Sequence, residues 1–117
     1  MWAGNPRDTN SPVNGRASAL ASNIVITGEL RVYGWVVYSS LGSSQFILMF
    51  DASALPADGL APIIPLPVAA SNQVAAYYGD SGRVFNRGIV LCNSTTDTTK
   101  TLGAANCLFD IQYDNLV

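Results

Sequence analysis

Turn signals set the strongest limit on what this chain can fold into. Glycine, proline, asparagine and aspartate punctuate it at roughly eight- to twelve-residue intervals, and no window between them carries an apolar repeat at helical spacing. What lies between is short and alternating. Leu20, Ser22, Ile24 and Ile26 alternate with their neighbours, and Thr27-Gly28 offers a turn. Glu29 to Tyr38 places Leu30, Val32, Gly34, Val36 and Tyr38 on one side and Arg31, Tyr33, Trp35 and Val37 on the other.

Leu41-Gly42-Ser43-Ser44 makes the next turn. Gln45 to Asp51 is then apolar on both faces, as in strands covered on both sides by a second sheet or a neighbouring subunit. Asp51 to Pro62 reads as a loop with a turn at Asp58-Gly59. Pro62, Pro65 and Pro67 demote the run Ile63 to Val68 to an edge strand or extended segment. Gln73 to Tyr78, Val84 to Cys92 and Cys107 to Tyr113 complete the strands, with a Ser/Thr-rich loop, Asn93 to Asn106, long enough to reach a partner. Seven or eight such strands describe an all-β chain, a single β-sandwich or jelly-roll-like domain over residues 18–117. Residues 1–17 lack apolar periodicity and read as an extended N-terminal arm.

A chain of 117 residues suits one domain and can bury roughly two thirds of its unfolded surface. With 49% hydrophobic and 12% charged residues it is not a disordered chain, and its apolar runs fall far short of a membrane helix. The net charge is −2, Lys100 is the sole lysine, and the five arginines form no block, so nucleic acid is not an expected partner. A low-charge chain of this kind often covers its apolar excess on a partner surface, in a homo-oligomer or an assembled particle. Its first ten residues have no apolar core of the signal-peptide kind, which points to synthesis in the cytosol or to a mature form.

The absence of histidine removes the commonest general base and the commonest transition-metal ligand together. Gly79-Asp80-Ser81-Gly82 matches the surroundings of a trypsin-like nucleophile, but such a serine needs a histidine; the segment reads as a turn. The carboxylates sit mostly in turns, without the density of a calcium loop or the spacing of a glycosidase pair, and phosphate-cradling glycine motifs are absent. No catalytic residue, metal or cofactor is expected. Cys92 and Cys107 could face each other across a hairpin as a disulfide, but buried free thiols fit better. Asn93-Ser94-Thr95 has the form of a glycosylation acceptor, but without a signal peptide it reads only as a polar loop. Tyr33, Trp35, Tyr38, Tyr77, Tyr78 and Tyr113 could line a sugar-binding face, although packing inside the sandwich or at a subunit boundary accounts for them more simply.

Two stretches carry a resemblance. Phe50-Asp51-Ala52-Ser53-Ala54-Leu55-Pro56-Ala57-Asp58-Gly59 continues to Ile64-Pro65-Leu66-Pro67-Val68-Ala69-Ala70. Gly82-Arg83-Val84-Phe85-Asn86-Arg87-Gly88-Ile89-Val90-Leu91-Cys92 continues to Cys107-Leu108-Phe109-Asp110-Ile111-Gln112-Tyr113. Over residues 45–113 the chain resembles small β-rich structural proteins of tailed bacteriophage virions, in segment order but with no catalytic signature. The resemblance implies a non-enzymatic capsid decoration or cement protein, commonly trimeric, bound to the major capsid protein lattice in a virion assembled in the host cytoplasm. The alternative it leaves is a tail-fibre or receptor- or carbohydrate-binding module. On the cement reading the expected interface is Trp2 with its arm, together with Ile63, Ile64, Leu66 and Arg87 near edges. The prolines beside them fix the chain in advance and lower the entropy cost of docking.

Overall fold

The computed structural model describes residues 13–16 and 20–116; Trp2 and most of the proposed arm lie outside them. Nine strands follow in order: β1 (Val13–Arg16), β2 (Asn23–Thr27), β3 (Leu30–Ser39), β4 (Gln45–Asp51), β5 (Ile64–Val68), β6 (Gln73–Tyr77), β7 (Arg83–Phe85), β8 (Gly88–Ser94) and β9 (Cys107–Asn115). They form two antiparallel sheets. One has the order β1-β9-β3-β6 with β7 also on β3, and the other has the order β2-β8-β4-β5. With the short β7 set aside, the pairs β1–β9, β2–β8, β3–β6 and β4–β5 nest like the arms of one long hairpin rolled into two layers. That is a jelly roll, the β-sandwich the alternation predicts. Val13–Arg16, inside the segment read as an arm, are paired with Tyr113–Asp110 of β9.

The layers meet through side chains of both sheets. Leu30, Val32, Trp35, Val37, Phe85, Phe109 and Ile111 come from the five-stranded sheet; Ile47, Met49, Ile89 and Leu91 come from the other. One departure from the sequence pattern decides how β3 contributes. Simple alternation puts Trp35 and Val37 opposite to Leu30 and Val32, yet all four are buried. The register against β9 slips between Val32 and Gly34: Val32 pairs with Tyr113 and Gly34 with the next residue, Gln112. Tyr33 is therefore an extra residue, a β-bulge, and it inverts the parity of everything after it. Leu30 and Val32 face inward before it, and Trp35 and Val37 after it, so Val36 and Tyr38 are left on the outer face.

A second departure falls within Val84 to Cys92, which is two strands on different sheets. The chain turns at Asn86-Arg87, whose backbone N–H groups donate to the two carboxylate oxygens of Asp51 at 3.1 and 2.9 Å. Gly88 makes the turn possible. Its φ is +141°, and a Cβ there would collide with the carbonyl oxygens of Ile26 and Ala52.

The four-stranded sheet is covered on both faces, as the apolar run Gln45 to Asp51 predicts. The core lies on one side. On the other, Leu48, Phe50, Val90 and Cys92 form a second apolar cluster closed by Ala52, Leu55 and Leu102 of the chain's own loops. The two loops are clasped together. Gly59 donates to the carbonyl of Lys100, Lys100 N–H donates to that of Leu60, and the Lys100 ammonium, 3% exposed, is ion-paired with Asp58. The Asn93–Asn106 loop thus lies over its own sheet. Pro65 and Pro67 sit in β5 at that sheet's edge, on alternate positions that face away from the core. The missing N–H groups share one parity, so they fall where no partner strand needs a donor.

Candidate functional site

With one sheet covered by loops, two places among the described residues gather neighbouring exposed apolar side chains. The first is the rim beside β5. Ile63 (43% exposed) and Leu60 (53%) flank a groove of about 450 Å³ that runs past Ala52 and Pro56 to Asp51 and Arg87. Ile63 N–H donates to the carbonyl of Met49 at 2.8 Å, which fixes the rim to β4. Arg87 is held in place by Asp51, which accepts its backbone N–H. Of the residues chosen from sequence, the structure brings Ile63 and Arg87 together in this groove. Ile64 and Leu66 are half-buried instead and pack on the main core, because the alternation of β5 turns them inward and the prolines outward. Leu60 and Asp51 were not singled out; their place beside the rim depends on how the loop folds back.

The second place is the outer face of the five-stranded sheet. Cross-strand register lays out its rows. Leu108, Tyr38 and Gln73 form one, and Asp110, Val36 and Ala75 form the next. Leu108, Val36 and Tyr38 are each about two fifths exposed and adjacent, an apolar terrace next to a carboxylate.

Trp35 does not belong to any such face. It is 2% exposed, and its indole Nε1–H donates to the Tyr78 hydroxyl at 3.2 Å, which in turn lies 3.2 Å from the Met49 sulfur across the core. Of the two explanations for the aromatics, packing holds for Trp35. Tyr78 is half-buried against the core, with the Arg83 guanidinium 6.0 Å from its ring centre.

Asn93 is fully buried. Its amide donates to the Ala104 carbonyl at 2.6 Å and to Asn106 Oδ1 at 3.0 Å, so it is no acceptor for a glycan in the folded chain. Beside it, Gln45 Nε2 donates to Ser39 Oγ at 2.7 Å and to Asn106 Oδ1 at 3.0 Å, forming a polar plug at the end of the sandwich. Cys92 and Cys107 are free thiols in different apolar clusters, Cys107 in the core between the sheets and Cys92 under the loops on the far face of the four-stranded sheet. Burial raises both thiol pKa values, that of Cys92 to about 11, so neither is a reactive thiolate at neutral pH. Among the described residues no group of three metal-ligating side chains comes together. Gly79-Asp80-Ser81-Gly82 is a turn, closed by Gly82 N–H donating to the Gly79 carbonyl at 3.2 Å.

No protein-family model matches this chain, and no curated protein sequence matches it. Among solved structures it is similar to the coat protein of Tobacco streak virus. In a C2 crystal form the likeness covers 90% of this chain and 88% of that one, at 17% identity and a TM-score of 0.39. In the coat protein dimer it covers 97% and 92%, at 13% identity and a TM-score of 0.38.

Proposed function

We propose that this chain is a non-enzymatic structural protein of a virus particle, a decoration or cement protein that binds the major capsid protein lattice. The observation that carries the proposal is the rim beside β5. It offers two exposed aliphatic side chains, Ile63 and Leu60, and one cation, Arg87, on backbone already fixed by Pro62, Pro65, Pro67 and the Asp51 carboxylate. A preordered apolar rim with a charged neighbour suits docking on another protein surface, because little chain entropy is lost on binding. The resemblance of residues 45–113 to tailed-phage virion proteins points the same way. So does the jelly-roll order, by analogy of fold alone, since virus shells use it often. The arm bearing Trp2 adds a second contact along a neighbouring subunit, and three copies of the chain make the working unit.

The test is co-sedimentation with particles built from the major capsid protein encoded in the same genome. Wild-type chain should pellet with the particles, and Ile63→Glu or Arg87→Glu should lower that binding about tenfold or more while melting at the wild-type temperature. Removal of residues 2–12, which spares β1, should weaken binding further. Light scattering should give the mass of a trimer. Absence of co-sedimentation, or full binding by both rim variants, overturns the proposal.

A further inference from the structure

The outer face of the five-stranded sheet has a third row, and it differs from the apolar terrace. Gly34 pairs with Tyr77 on one side and Gln112 on the other. Here β6 hands over to β7 through the turn 78–82, and the turn, the bulge and β9 enclose a groove of about 650 Å³. Tyr77 forms one wall and is 77% exposed, so the fold gains little by keeping an aromatic ring there. Gly34 is required beneath it. A Cβ at that position would come within 2.8 Å of the Ala76 carbonyl oxygen and 3.7 Å of the Tyr77 ring.

Tyr33, the bulged residue, forms the opposite wall, its ring anchored by a 2.8 Å hydrogen bond from its hydroxyl to Asp114 Oδ2. Arg31 Nη1 donates to the Ser81 carbonyl at 2.6 Å, which ties the turn to β3 and holds Asp80 at the groove's edge. Gln112 completes the lining.

We propose that this groove binds a neutral saccharide. A sugar ring has an apolar C–H face and a rim of hydroxyls that each donate and accept. The groove answers both: Tyr77 presents an open phenol ring for stacking, and the Asp80 carboxylate and Gln112 amide offer planar pairs of polar atoms for neighbouring hydroxyls. The volume falls within the range of small-molecule sites and suits one or two sugar rings. Charge selects among ligands that stack. The lining carries one carboxylate, Asp80, and one guanidinium, Arg31, whose Nη1 is engaged by Ser81, so the groove offers no surplus of positive charge to a nucleotide phosphate, a sialic acid or a sulfated sugar. The site lies on the outer face of the opposite sheet from the β5 rim. Binding here therefore stands or falls independently of capsid attachment.

The experiment is a titration of the folded chain with neutral di- to tetrasaccharides of glucose, galactose, mannose and N-acetylglucosamine, followed by backbone amide NMR. Sialylated and sulfated glycans are run in parallel. At least one neutral series should move the amides of residues 31–34, 77–82 and 112 together, with dissociation constants near about 1 mM or tighter. Tyr77→Ala should weaken binding roughly tenfold or more without changing the melting temperature, and Tyr77→Phe should restore it. Silence from every neutral sugar at about 10 mM overturns the proposal, as does binding confined to anionic glycans or unchanged in Tyr77→Ala.

Discussion

Deletion of Tyr33 isolates the consequence of the bulge. Removing this one residue restores simple alternation along β3, so the segments on either side of it can no longer both face the core. If Trp35, Val37 and their partners on β9 keep their register, Leu30 and Val32 turn outward; both are fully buried in the native sheet. Exposing a buried Leu and a buried Val costs about 1.5–3 kcal/mol each, so the deletion should cost about 3–6 kcal/mol. Total stabilities of single domains run at roughly 5–15 kcal/mol, so this is a large share. At this chain length a kilocalorie corresponds to roughly 4 °C, and the deletion should lower the melting temperature by about 12–24 °C. Tyr33→Ala is the control. It keeps the bulge and loses the hydrogen bond to Asp114, worth about 1 kcal/mol. Thermal melts of both variants by circular dichroism decide the matter. A deletion that melts within about 5 °C of Tyr33→Ala would refute the parity switch.

Three further outcomes follow from the same geometry. Trp35→Ala should destabilise the chain by about 3–5 kcal/mol in urea titration, because it empties a core site and removes the indole donor to the Tyr78 hydroxyl; a loss below about 1 kcal/mol would contradict the buried placement. Asp58 lies below its ordinary value of 3.8, first because it accepts a hydrogen bond from Lys100 and then one from the Leu102 N–H. A lowered carboxylate stabilises the fold above the unfolded value and loses that contribution as pH falls through the folded one. Melting temperature should therefore drop below about pH 4 less steeply in Asp58→Asn, whereas parallel acid limbs would exclude Asp58 as a source. Native protein should react negligibly with a thiol reagent at neutral pH and expose two thiols in denaturant; fast labelling before unfolding would contradict the burial of Cys92 and Cys107.

Local chemistry explains which features could be read from the sequence. The two-layer β architecture, the edge position of the proline run and the turn at 79–82 depend on residues close together in the chain, where φ preferences and alternation act directly. The inversion along β3 does not. Whether Tyr33 bulges is settled by Tyr113 and Gln112, some eighty residues later, so a strand read alone gives the wrong partners for Trp35. The break between β7 and β8 likewise depends on Asp51 reaching Asn86 and Arg87. The β5 rim was half legible. The prolines announced an edge and Ile63 its exposed aliphatic, but the inward turn of Ile64 and Leu66 rests on pairing with β4. The tyrosines of the groove were visible as candidates; their meeting with Asp80 and Gln112 required the fold.

The place of β9 also governs the order in which the chain can be built. This last strand lies in the interior of its sheet, between β1 and β3, and supplies Phe109 and Ile111 to the core. During synthesis every earlier strand can leave the ribosome while the five-stranded layer still lacks the ribbon that joins its two halves. The native pairings close the longest loops in the chain, which makes them slow to form. The partly made protein must therefore wait with its five-stranded layer incomplete, and that layer closes only once β9 is free of the ribosomal tunnel.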